Sequence, residues 1–184
     1  SYHTNLNNNI LNIPSTITVY PGTGATNPLR KRSTEITNLS TGDISKFKVW
    51  LTSGDIAETD ITYDPFGNIK TVKYPPNEFN QRSELEYFYD PMGKYVVQVK
   101  DPIFNLSSYA TYDPSLDTVL QSTDVTGNKM SYEYDGYGRP LRIVSPNDWQ
   151  AQVYTINYDY YNTPVTQSNG SKLYLFTATT KHLD

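Results

Sequence analysis

The pair Tyr-Asp recurs five times along the chain, at Tyr63-Asp64, Tyr89-Asp90, Tyr112-Asp113, Tyr134-Asp135 and Tyr158-Asp159, with successive pairs 22 to 26 residues apart. A period of that length marks one supersecondary unit repeated along the sequence. Each pair closes a short alternating stretch: Ile61-Thr62-Tyr63, Tyr87-Phe88-Tyr89, Ala110-Thr111-Tyr112, Tyr132-Glu133-Tyr134 and Ile156-Asn157-Tyr158. Side chains of a strand alternate between faces, so the outer two residues of each stretch share one face and the middle residue takes the other. These stretches are predicted to be strand ends.

Turn chemistry follows. In Asp64-Pro65-Phe66-Gly67 and Asp90-Pro91-Met92-Gly93 the aspartate can accept hydrogen bonds from backbone further on. The proline presets φ, and the glycine tolerates positive φ, which together specify a type I turn leading into a bulge. Residues 68–73, 94–99 and 139–144 are the return strands, so each repeat reads as a β-hairpin. Two repeats depart from the pattern. Asp113-Pro114-Ser115-Leu116 has leucine where glycine is wanted and predicts a looser turn, whereas Asp159-Tyr160-Tyr161-Asn162 substitutes asparagine, the next most tolerant residue for positive φ.

The segment Gly127-Asn128-Lys129-Met130-Ser131-Tyr132-Glu133-Tyr134-Asp135-Gly136-Tyr137-Gly138-Arg139-Pro140-Leu141 resembles the unit of the RHS/YD-repeat family, which reads Gly-Asn, a few residues, Tyr-x-Tyr-Asp, two residues, Gly-Arg-Leu. Asp64 to Ile69 and Asp90 to Tyr95 match in part, and the resemblance covers roughly residues 55–165. That family includes bacterial toxin-complex shell components, polymorphic toxins and the animal teneurins. The resemblance implies successive hairpins spiralling into a hollow β-shell, which in the bacterial members encloses a toxic C-terminal cargo. It also implies a secreted or surface-exposed protein. Its partners would be further YD repeats of a parent chain and an enclosed toxin domain. The structural repeat residues are then Tyr63, Asp64 and Gly67; Tyr89, Asp90 and Gly93; Tyr112 and Asp113; Tyr134, Asp135 and Gly138; and Tyr158 and Asp159.

The expected fold is all-β, a curved sheet of successive antiparallel hairpins. It has three stretches: strands and loops without a clear repeat over 1–54, the hairpins over 55–165, and a C-terminal strand and tail over 166–184. Composition agrees. Hydrophobic residues make up 36 % and charged residues 18 %, and 17 tyrosines supply much of the apolar surface, a balance suited to strands rather than helices. The formal net charge is −4 and the cations are scattered, so no basic stripe follows a phosphate backbone and nucleic acid is not an expected partner. The absence of cysteine excludes disulfides, thiolate metal sites and a cysteine nucleophile. No apolar run approaches the roughly 20 residues that span a bilayer. A chain starting at Ser1 reads as an excised piece, with unpaired strand edges through which it would self-associate.

Outside the repeat, Ile17-Thr18-Val19-Tyr20 and Phe47-Lys48-Val49-Trp50-Leu51 alternate like strands, punctuated at Pro21-Gly22, Thr41-Gly42-Asp43 and Ser53-Gly54-Asp55. Asn5 to Asn9 reads as a frayed terminus, and Lys172-Leu173-Tyr174-Leu175-Phe176-Thr177 as one strand.

Candidate sites are few, and no cofactor is expected. The histidines, His3 and His182, lie near opposite ends, and with no cysteine a zinc site would need carboxylates to complete it. Neither has a nucleophile motif beside it. A glycosidase needs two carboxylates facing one bond, but Asp64, Asp90 and Asp135 each have a turn to build. Asp55, Glu58 and Asp60 form an acidic cluster that could hold calcium, without the alternating spacing of a calcium loop. Gly22-Thr23-Gly24 lacks the rest of a dinucleotide loop and reads as a turn, and Arg30-Lys31-Arg32 as a solvated loop. Asn38-Leu39-Ser40, Asn105-Leu106-Ser107 and Asn169-Gly170-Ser171 match the glycosylation triplet. Tyr87, Tyr89, Tyr132 and Tyr134 could supply strand-to-strand contact area or, alternatively, a platform for a carbohydrate or protein on a cell surface.

Overall fold

A computed structural model of the chain describes residues 1–51, 54–151, 153–161 and 163–180. Ser53, Asn162 and His182 of the sequence reading lie outside the described residues. The chain is all-β, with seventeen strands and one short 3-10 turn at Leu6–Asn8 among the described residues. Among the described residues no helix is long and apolar enough to cross a membrane. The chain divides into two units, with the second starting at Ser107, so the boundary falls inside the region of hairpins.

In the first unit, β1 (Tyr2–Asn5) pairs with β2 (Ile10–Pro14) as a separate hairpin. The main sheet is an antiparallel meander in sequence order: β3 (Thr16–Val19), β4 (Arg30–Asn38), β5 (Asp43–Trp50), β6 (Ile56–Tyr63), β7 (Ile69–Pro76), β8 (Arg82–Tyr89) and β9 (Val96–Asp101). In the second unit, β10 (Leu106–Asp113), β11 (Thr118–Thr123), β12 (Lys129–Tyr134), β13 (Pro140–Val144) and β14 (Ile156–Tyr160) continue the pattern. There β14 pairs with β17 (Phe176–Thr180). The intervening β15 (Val165–Thr166) and β16 (Lys172–Leu173) form their own hairpin.

The two faces of the first unit's sheet differ in chemistry. On one, the register aligns Phe47 with Thr59, Ile61 with Val72, Val72 with Leu85, and Tyr87 with Val99. On the other, Glu35, Lys46, Asp60, Lys73 and Glu84 stand opposite one another across five consecutive strands and alternate in sign. Cross-strand pairs of opposite charge stabilise a sheet, and like pairs would oppose it. Because each unit's sheet is a single layer, its side chains are mostly half-buried. Among the described residues, Ile10 at 8 % and Asp148 at 5 % relative exposure are the buried ones. Ile10 belongs to a small cluster in which the β1–β2 hairpin covers the turn at Gly42: a Cβ there would lie 3.0 Å from Ile13 Cδ1 and 3.2 Å from Ile10 Cδ1.

Several local expectations change. The asparagine-rich start is ordered: Asn5 ends β1, its Nδ2 donates to the Leu39 carbonyl at 3.0 Å, and Asn9 takes the left-handed conformation at φ 56°. Arg30-Lys31-Arg32 opens β4 and is not a loop, because its alternating side chains pair in register with β3. The run from Lys172 to Thr177 is broken between β16 and β17 at Tyr174 and Leu175.

Candidate functional site

The repeated residues gather at the hairpin turns. In the turn after β6, the Gly67 N–H donates to the Asp64 carbonyl at 3.1 Å, and the Asp64 N–H donates to the Asn68 carbonyl at 2.9 Å. Gly67 has φ 86°, and the ladder shifts register between Thr62 and Tyr63. That combination is a type I turn followed by a glycine bulge. Asp64 Oδ1 accepts from the N–H groups of Phe66 and Asn68, both at 2.9 Å.

The turn after β12 repeats the arrangement. Asp135 Oδ1 accepts from the Tyr137 and Arg139 amides at 2.9 and 3.0 Å, Gly138 has φ 77°, and Arg139 clamps Asp135 Oδ2 through Nε at 2.7 Å and Nη2 at 2.6 Å. After β8, Asp90 Oδ1 accepts from Lys94 and Tyr95, with Gly93 at φ 69°, so this loop is one residue longer. After β10, Ser115 donates twice to Asp113 Oδ1, and the positive φ falls on Asp117 at 56° rather than on Leu116. The β-carbon of leucine disfavours the left-handed region, whereas aspartate tolerates it.

These carboxyls are held below the usual carboxylate range. For Asp90 the Tyr95 amide is the main cause, and for Asp113 the Ser115 hydroxyl. For Asp64 and Asp135 desolvation pushes upward, but the hydrogen bonds from Asn68 and from Arg139, respectively, outweigh it.

The tyrosines do something the turn reading did not foresee. Tyr63 donates its hydroxyl to the Ile44 carbonyl at 2.9 Å, Tyr89 to Ile69 at 2.8 Å, Tyr134 to Val119 at 2.9 Å, and Tyr160 to Pro140 at 2.9 Å. In each case the ladder between the two strands stops two residues short of that carbonyl, at Lys46, Thr71, Gln121 and Arg142. Within a repeat the turn itself closes this edge of the sheet. Between consecutive repeats no covalent link closes it, and the phenol ties the loose ends together. Desolvation raises the hydroxyl pKa of Tyr63, Tyr89 and Tyr134, and a phenol is a protonated donor at neutral pH even without that shift.

Side chains also bridge the turns. Asn68 Nδ2 reaches Asp64 Oδ2 at 3.2 Å and the Gly93 carbonyl at 2.7 Å. The Arg139 guanidinium lies 4.2 Å from the centre of the Tyr160 ring.

Tyr158 and Asp159 are not turn residues. Strand β14 runs through both, with Tyr158 opposite Ala178 and Asp159 opposite Thr177. The sequence there has neither the proline nor the glycine that ends the other strands, so pairing with β17 continues. Tyr160, two residues on, takes the position of the repeat tyrosine.

Sequence reasoning also missed the turns at the opposite edge, because they lack the tyrosine. Asp124 Oδ1 accepts from the Thr126 and Asn128 amides at 2.8 and 3.0 Å, with Gly127 at φ 88°. Asn77 does the same for Phe79 and Gln81, with Asn80 at φ 59°. The signal was Asp or Asn followed three residues later by Gly or Asn, which needs no tyrosine.

The remaining candidates lie elsewhere. His3 Nε2 is 3.0 Å from the Thr34 carbonyl. Glu58 and Asp60 are engaged by cations: Lys46 lies 2.9 Å from Glu58 and 3.3 Å from Asp60, Lys48 3.3 Å from Glu58, and Arg82 2.6 Å from Asp60. Among the described residues no group of three or more His, Cys, Asp or Glu side chains could hold a metal ion.

No family model matches the chain, and no curated protein matches it. A crystal structure of TcdB2-TccC3-Cdc42 aligns with 86 % of this chain at 15 % identity and a TM-score of 0.45. The chain spans 10 % of the length of the protein it matches there.

Proposed function

We propose that this chain is a non-catalytic wall segment of an RHS/YD-repeat shell that encloses or presents a toxin or effector encoded elsewhere in a parent protein. The observation that carries the reading is the tyrosine tie between consecutive hairpins, four times over. A repeat residue spent on joining its unit to the preceding one serves a continuous wall. The close match of residues 127–141 to the family motif supports the same reading. So does the use of the turn aspartates: Oδ1 of each accepts from backbone amides, and Oδ2 of Asp64 and Asp135 accepts from the Asn68 and Arg139 side chains. Carboxyls held below their ordinary range are poorly suited to general acid catalysis.

Such a wall acts by exclusion, because strands paired neighbour to neighbour leave few open edges. Its partners are further repeats of the parent and the enclosed domain, in a secreted or cell-surface setting. Edge strands such as β17 offer a route to self-association. An electron-microscopy reconstruction of the longer polypeptide that carries this segment tests the proposal. The expected map has residues 55–165 as consecutive rungs in the wall of a hollow body, and a map placing them in a separate solid lobe overturns it.

A further inference from the structure

The second unit carries a small pocket on the sheet face opposite the tying tyrosines. Ser131, Glu133 and Val144 form its floor, Trp149 and Tyr154 line it from the connection between β13 and β14, and its volume is about 330 Å³. That size is at the lower end of small-molecule sites. Arg142 stands beside it, donating to Glu133 Oε2 at 3.0 Å and to the Tyr154 hydroxyl at 3.3 Å, with its guanidinium 4.5 Å from the Tyr154 ring centre. Lys129 lies 5.7 Å from the Trp149 ring centre.

The connection bearing the two aromatics is held in place from beneath. Asp148, the most buried of the described residues, accepts from the Ser145 hydroxyl at 3.1 Å and from the Thr155 hydroxyl through Oδ2. Thr155 Oγ1 in turn accepts from the Ser145 amide at 2.7 Å. Ser145 and Thr155, at the two ends of the connection, are thereby fixed to the residue next to Trp149. A site organised before its ligand arrives loses less ordering entropy on binding. The wall proposed above does not require this clamp, since the connections after β6, β7, β11 and β12 are closed by five-residue turns.

We propose that this pocket binds a neutral saccharide unit. A pyranose has an apolar C–H face and a rim of hydroxyls. Trp149 and Tyr154 offer flat apolar surface for the first. Ser131, Glu133 and Arg142 offer a hydroxyl, an acceptor and a donor for the second. Glu133 is half exposed and tied to Arg142, so the two charges offset each other and leave a polar rim whose acceptor and donor suit uncharged hydroxyls. The site is distinct from the tyrosine ladder: Tyr89 and Tyr134 use their hydroxyls on backbone carbonyls.

Ligand-observed NMR of the chain against neutral oligosaccharides of glucose, galactose and N-acetylglucosamine, beside sialylated and uronate-containing ones, tests the assignment. Saturable binding of at least one neutral oligosaccharide is expected at millimolar concentration. Trp149→Ala should weaken it by about tenfold, the scale of one lost aromatic contact. Glu133→Gln should also weaken it. Phe79→Ala, at an exposed turn of the first unit, should leave it unchanged. If Trp149→Ala fails to fold, as judged by circular dichroism, Glu133→Gln decides alone. No saturable binding by the folded chain, binding confined to acidic oligosaccharides, or binding indifferent to Glu133→Gln overturns the proposal.

Discussion

The Tyr89 hydroxyl donates to the Ile69 carbonyl at 2.8 Å, beyond the last rung of the β7–β8 ladder at Thr71 and Glu86. Ile69 is itself the cross-strand partner of Tyr63, so one repeat tyrosine is tied to the residue facing the repeat tyrosine before it. Tyr134 bonds to the partner of Tyr112, and Tyr160 to the partner of Tyr134, in the same way. The repeat spacing follows from this relation, because each unit must return the chain to the same edge for its phenol to meet the previous turn.

Removing the hydroxyl while keeping the ring isolates the tie. Tyr89→Phe and Tyr134→Phe should each destabilise the chain by about 1 kcal/mol, the usual net worth of one such hydrogen bond. Urea denaturation checks this, and hydrogen exchange should quicken near Ile69 in the first variant and near Val119 in the second. Unchanged stability and exchange in both would mean that the phenols matter only for their rings.

Two bulge glycines separate backbone strain from steric contact. Gly127 has φ 88° with open space where a Cβ would stand, whereas a Cβ on Gly93, at φ 69°, would lie 2.9 Å from Cγ and Cδ2 of Phe66. Gly127→Ala should cost about 1–2 kcal/mol from the left-handed backbone alone. Gly93→Ala should cost more, and Phe66→Ala in the same chain should recover the excess. Thermal denaturation of the three variants checks the order.

Asp124 provides a pH test. Hydrogen bonds from the Thr126 hydroxyl and the Asn128 side chain lead in lowering its pKa to about 2, against roughly 3.9 in an unfolded chain. A depressed folded value means that the stabilisation is complete above about pH 4 and is lost as pH falls toward about 2. Asp124→Asn keeps an acceptor oxygen but cannot ionise. The stability gap between it and the parent should therefore shrink over that window, and a carboxyl NMR titration should place the Asp124 midpoint near the lower end. A gap independent of pH would contradict the assignment.

The alternating charge row predicts salt sensitivity. The Lys46 ammonium lies between Glu58 and Asp60, and its pKa is raised chiefly by its hydrogen bond to Glu58. Lys46→Met should lower the melting temperature at low ionic strength, and the difference should narrow in molar salt as screening weakens the pairs. A difference unaffected by salt would assign the effect to packing of the lysine stem.

How much of this was legible depended on range along the chain. The hairpins after Tyr63, Tyr89 and Tyr134 were readable because Asp-x-x-Gly is local chemistry, complete within four residues. The turn at Asp113 was readable as an exception for the same reason. Tyr158-Asp159 misled because an asparagine in place of the glycine reads as a tolerable turn signal, whereas strand pairing with β17 runs through both residues and Tyr160 carries the tie. The tie itself is set by ladder register over 15 to 20 residues, as is the row from Glu35 to Glu84, and register follows from bulges that composition does not count. The pocket at Trp149 combines two strands with an irregular connection that no repeat pattern covers.

The central claim, a wall that excludes, is tested most directly by protease protection in the longer polypeptide that carries this segment. The intact protein is compared with one in which Tyr63, Tyr89, Tyr134 and Tyr160 are all phenylalanine and β-structure is retained by circular dichroism. The account predicts that the enclosed domain resists cleavage in the intact protein and is cut faster in the variant. An enclosed domain cut in the intact protein as fast as when it is free in solution would contradict it.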